Sequence, residues 1–169
     1  VNAMQNTDIE KLNHILEGIC ITANALDPEF QPQFDCYIEL LNFNENIPIY
    51  ENFKQFFTIN SVWRSMKKMC DDPQFVDWQF QMKSIGTPTE TINYFFRKNL
   101  FPTLSDKQFT VIAVYLKSYI EGLIGELKDS QQGYIRPPNK YLPKYLQHWQ
   151  HLYLQGKDAE ILVTFEANT

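Results

Sequence analysis

Apolar residues recur at helical spacing along most of this chain. Ile9, Leu12, Leu16, Ile19, Ala23 and Leu26 fall on one helical face, and Thr7 with Glu10 three residues later supplies a capping box for its start. Asp27-Pro28 stops that helix. Between Pro28 and Phe43 two periods compete. Pro32, Phe34, Ile38 and Leu41 suit a helix, Asp35-Cys36-Tyr37-Ile38-Glu39-Leu40 alternates as a strand, and the helical reading is preferred. Asn42 to Asn46 has turn composition, after which Pro48 opens a short helix carrying Ile49, Phe53, Phe56 and Phe57.

Further helices are expected from Asn60 or Ser61 (Val62, Met66, Met69 or Cys70) and from Asp72-Pro73 (Phe75, Val76, Gln79, Phe80), the latter stopping at Gly86. Thr87 with Glu90 and Ser105 with Gln108 are two more capping boxes. The first opens a helix with Ile92, Phe95, Phe96 and Leu100. The second opens the longest helix, whose face Phe109, Ile112, Ala113, Leu116, Ile120, Leu123, Ile124 and Leu127 is wide enough for the centre of a bundle. Gly133 to Pro138 reads as a linker, and a last helix with Leu142, Tyr145, Leu146, Trp149, Leu152 and Tyr153 closes at Gly156.

Glu160 to Phe165 is the one clear strand pattern. A lone strand must pair within the chain, with part of 34–43 as one option, pair with another chain, or fray. The expectation is an all-α domain of seven or eight helices with a C-terminal strand-like tail. Val1-Asn2-Ala3 ahead of Met4 reads as an expression-tag scar, leaving residues 4–169 as a single helical domain.

Composition agrees with a globular chain: 169 residues, 44% hydrophobic, 21% charged and only 6 Gly. No apolar run approaches the roughly 18 residues a membrane helix needs. Cys20, Cys36 and Cys70 are odd in number and set among apolar or aromatic residues, which suits a reduced, cytoplasmic protein.

The net charge of -5 hides an asymmetry. Residues 1–60 hold nine acids against Lys11 and Lys54, and the stretch Asp27 to Glu51 has six acids and no base. Residues 130–157 carry Arg136, Lys140, Lys144 and Lys157 without an acid. A clustered negative surface steers a basic partner and disfavours nucleic acid. Its interleaved aromatics, Phe30, Phe34, Tyr37, Phe43 and Tyr50, could serve as anchors. The same acids also read as ordinary solvated positions, and the same aromatics as core.

Motifs for chemistry are thin. His148 and His151 share an i, i+3 face but lack further ligands, so no metal or other cofactor is expected, and the pair reads as a partly exposed helical face. His14-Ile15-Leu16-Glu17 has the di-iron spacing in reverse order and only once. Gly122 and Gly125 form no phosphate loop and read as close helix packing, while Asp71-Asp72 reads as a helix stop and cap. Arg64, Lys67 and Lys68 beside Trp63 are too few for a nucleic-acid surface in a chain of pI near 5.2.

The leading expectation is a non-enzymatic, cytoplasmic protein-binding module. Its acidic face would comprise Asp27, Glu29, Asp35, Tyr37, Glu39, Glu45 and Glu51, and an immunity or inhibitor protein neutralising a basic protein fits that profile. The alternative is a helical small-molecule-binding domain with an aromatic-lined pocket, suggested by 13 Phe, 9 Tyr and 3 Trp.

Overall fold

A computed structural model describes residues 6–26, 33–59, 79–102, 104–136 and 149–168. Strands β1 (Gln33–Leu41), β2 (Gln79–Lys83), β3 (Leu127–Arg136), β4 (Gln150–Gly156) and β5 (Glu160–Asn168) form one antiparallel sheet in the order β1-β5-β4-β3-β2. Helices α1 (Asn6–Leu26), α3 (Pro88–Leu100) and α4 (Asp106–Ile124) pack on one face of it, and α2 (Ile49–Ile59) packs on the other. The expected all-α bundle is thus overturned. The fold is mixed α/β, with four helices among the described residues and the sheet as its middle layer.

Pleating sorts the side chains between the two faces. Cys36 and Ile38 of β1, Leu152 and Leu154 of β4, and Ile161, Val163 and Phe165 of β5 join Leu12, Leu16, Ile92, Phe96, Leu116 and Ile120 in the larger core. Leu41, Ile135, Tyr153 and Leu162 point the other way, with Trp149 just before β4, and meet Phe53 and Phe57 of α2. Both faces of β4 and β5 are covered, so their apolar residues run on consecutively, as in any doubly buried strand.

That burial explains the misread elements. Trp149, Leu152 and Tyr153, expected on one helical stripe, belong to β4 and the residue before it, and Leu152 and Tyr153 face opposite layers. The alternating reading of 34–43 is the one adopted, with Cys36 paired to Phe165 and Ile38 to Val163. The 160–165 strand therefore finds its partner within the chain, and a second in β4. Gln79 and Phe80 lie in β2, not in a helix, and Gly133 to Arg136 of the expected linker lie in β3, Pro137 and Pro138 being outside the described residues. There Gly133 has φ +150, and a Cβ would stand 1.7 Å from the Gln81 carbonyl oxygen, so β2 and β3 approach this closely only over glycine.

Local signals fared better. Thr87–Glu90 and Ser105–Gln108 are complete capping boxes at the starts of α3 and α4. Leu116 and Ile120 are buried, and Leu123 packs half-buried against the same core. α4 ends at Ile124 with Gly125 as its cap, so Leu127 opens β3, and a Cβ at Gly122 would meet nothing within 4 Å among the described residues. The helices expected from Asn60 or Ser61 and from Asp72-Pro73 as far as Phe75 and Val76, the basic group Arg64, Lys67 and Lys68, and Leu142 to His148 lie outside the described residues.

Candidate functional site

At one end of the α2 side of the sheet, an aromatic cluster opens into a cleft of about 450 Å³. Its wall is built by sequence-distant rings. Phe43, just past β1, stacks on Tyr153 of β4 with centroids 5.8 Å apart and planes 15° from parallel. Phe53 meets Phe43 edge-on at 4.8 Å and Tyr153 at 5.7 Å, fixing both rings from behind.

The turn between β1 and α2 is held by one buried side chain. Asn52 accepts from the Asn44 N–H at 2.8 Å and donates back to the Asn44 carbonyl at 2.9 Å, while Asn44 Oδ1 accepts from the Asn46 N–H at 2.9 Å. These bonds set the position of Glu45 on the rim of the cleft.

Two further carboxylates come from the sheet. The Tyr153 hydroxyl donates to Glu160 Oε2 at 2.7 Å. On β3, the pairing with β4 shifts between Leu127 and Asp129, an irregularity of the kind that re-aims a side chain. Asp129 then accepts from Gln131 Nε2 at 3.2 Å and from the Ser130 N–H at 2.9 Å. Glu45, Asp129 and Glu160 thus share one cleft with Gln131 and Gln155, and no basic side chain is among its described lining residues. The combined field is felt at Tyr153. Its phenol is pushed above the ordinary range by burial first, then by Glu160, with smaller contributions from Asp129 and Glu45.

A second polar group lies deeper on the same face. Tyr37 donates to Glu166 at 2.9 Å, and burial, Glu166 and Glu39 together push its phenol upward. Trp149 Nε1–H faces the Tyr37 hydroxyl without closing a hydrogen bond. His151 is fully buried, with Nδ1 3.1 Å from Thr164 Oγ1 and its ring against Trp149 and Phe57. Burial lowers its pKa to about 3, with the Ile135 carbonyl opposing. The exposed helical face expected for His151 is therefore a buried strand position. Among the described residues no group of three or more His, Cys, Asp or Glu is placed to hold a metal.

The residues of the expected acidic face come from several elements. Asp27 and Glu29 lie outside the described residues. Asp35 pairs with Glu166 in the sheet register, and Tyr37 and Glu39 follow on β1. Glu51 sits in the first turn of α2, where its charge suits the helix dipole. Among the described residues of that face, Glu45 alone lines the cleft. Asp129, Tyr153 and Glu160 were missed because only the β3-β4-β5 register unites them. Cys20 and Cys36 are buried, in keeping with their apolar sequence surroundings, and His14 lies 3.8 Å from Glu17 as an exposed pair. No helix among the described residues is long and apolar enough to cross a membrane. Comparison with protein-family models, with curated proteins and with solved structures returns no match.

Proposed function

We propose that this protein is a binding module whose aromatic-walled cleft takes a small organic cation, namely an amine attached to an apolar or aromatic body. The observation that carries this reading is the convergence of Glu45, Asp129 and Glu160 on a cleft floored by the stacked pair Phe43 and Tyr153. Carboxylates supply charge-assisted hydrogen bonds to an ammonium, and the outer face of the stacked pair attracts the same cation by about 0.5–2 kcal/mol. An ammonium in the cleft would be attracted by each carboxylate that it reaches. A neutral or anionic analogue offers no such gain.

A matched series tests this: 2-phenylethylamine, 2-phenylethanol and 3-phenylpropionate, each followed by thermal denaturation. The amine should raise Tm, since a ligand at about 100 times its Kd stabilises by about 2.7 kcal/mol, and the other two should not. Equal shifts with amine and alcohol would refute charge recognition, and no shift with the amine would refute the site.

The acidic-face reading, a basic protein bound along Asp27 to Glu51, rests on charge pattern alone and takes second place. Asp35→Lys with Glu39→Lys separates the two readings. It should leave amine binding intact, whereas a basic protein partner would be lost. For either reading we propose a cytoplasmic setting, on the odd number of cysteines, Cys20, Cys36 and Cys70, in the sequence.

A further inference from the structure

Five of the seven large apolar side chains exposed among the described residues belong to α3 and α4: Tyr94, Val111, Val114, Tyr115 and Tyr119. On α4, Val111, Val114, Tyr115 and Tyr119 form a stripe with Ser118 and Gly122, turned away from the core positions Phe109, Ala113, Leu116, Ile120 and Ile124. One face of α4 thus builds the core and the opposite face is apolar and, among the described residues, without a partner, the usual mark of an interaction site.

Beside the stripe runs a groove of about 780 Å³ between α3 and α4, with Tyr94, Lys98, Phe109, Val114 and Lys117 among its walls. Val114 belongs to both features. Tyr115, 66% exposed, stands on the other flank of the stripe, away from the groove.

We propose that α4 pairs antiparallel with α4 of a second copy of this chain, across a two-fold axis between Val114 and Tyr115. In that register Val111 of one copy lies opposite Ser118 of the other, and Lys107 lies opposite Gly122. Gly122 costs helix stability relative to alanine, and within one copy a Cβ there would meet nothing within 4 Å. Across the axis its missing side chain leaves room for the Lys107 stem, whose ammonium reaches Glu121, one position along. Glu121 already pairs with Lys117 of its own helix at 3.7 Å through Oε1 and has Oε2 for Lys107 of the other copy. This charge complementarity exists only with a second copy in antiparallel orientation, which also opposes the two helix dipoles.

Covering the five side chains would bury roughly 500 Å² per copy, about 1,000 Å² in all, which is the size class of weak association. Sedimentation equilibrium from about 1 to about 500 µM should therefore show a monomer converting to a dimer with a Kd on the order of 10–100 µM. Tyr115→Glu should remain monomeric throughout while keeping the wild-type Tm, since the side chain touches no core. Lys107→Glu should weaken the dimer at least fivefold, and Lys107→Glu with Glu121→Lys should restore it. A wild-type protein that stays monomeric at about 500 µM overturns the proposal, as does a Tyr115→Glu variant that dimerises as wild type or a double variant that fails to recover.

Discussion

The hydroxyl of Tyr153 donates to Glu160 at 2.7 Å across the β4-β5 hairpin, and this bond ties the aromatic wall of the cleft to its carboxylate rim. Tyr153 sits opposite Leu162 on β5 and opposite Gln131 on β3, so its ring is placed by two strand registers at once. Tyr153→Phe keeps the ring and removes the bond. Chemical denaturation should show a loss of about 0.5–1.5 kcal/mol, because Glu160 is half-buried and regains water. A much larger loss would mean that the hydroxyl supports more than this one carboxylate.

His151 makes stability depend on pH in a direction opposite to that of a paired histidine. Its pKa of about 3 in the fold lies below the ordinary value of 6.5, so the fold holds the neutral ring. The contribution is fully present above about pH 6.5 and is lost as pH falls toward 3, at up to about 1.4 kcal/mol per pH unit. His151→Gln cannot take up that proton. Between about pH 6 and pH 4, wild type should lose stability more steeply than the variant, measured by urea denaturation at each pH. Parallel slopes would show that His151 does not titrate on unfolding.

Gly133→Ala should be among the most damaging substitutions of a small residue. A Cβ there lies 1.7 Å from the Gln81 oxygen and 2.8 Å from its carbonyl carbon, at a φ of +150. Backbone must move, at a cost of about 2–4 kcal/mol. The damage should be local: hydrogen exchange should lose protection between β2 and β3 while the β1-β5 pairing keeps its own.

What could be read in the sequence was what neighbouring residues decide. Thr87 finds Glu90 and Ser105 finds Gln108 within one helical turn, so both helix starts were legible. β4 was not, because Leu152, Tyr153 and Leu154 are all buried, the first and last under α4 and the middle one under α2, and a doubly covered strand has no alternation to detect. β3 failed for the opposite reason. Its run Asp129-Ser130-Gln131-Gln132 is polar, and Ser130 and Gln132 are buried without any apolar signature. Glu45 entered the candidate site through charge alone, whereas Asp129 joins it through a register shift that no local pattern marks.

Calorimetric titration of 2-phenylethylamine into wild type and into Asp129→Asn/Glu160→Gln tests the central claim most directly. Wild type should bind one equivalent, and the double variant should bind on the order of tenfold or more weakly while unfolding at a similar temperature, since charge-assisted bonds are worth about 1.5–3 kcal/mol each. Equal affinity in the two proteins, or no heat from the wild type at millimolar amine, would contradict an amine-binding cleft at Tyr153.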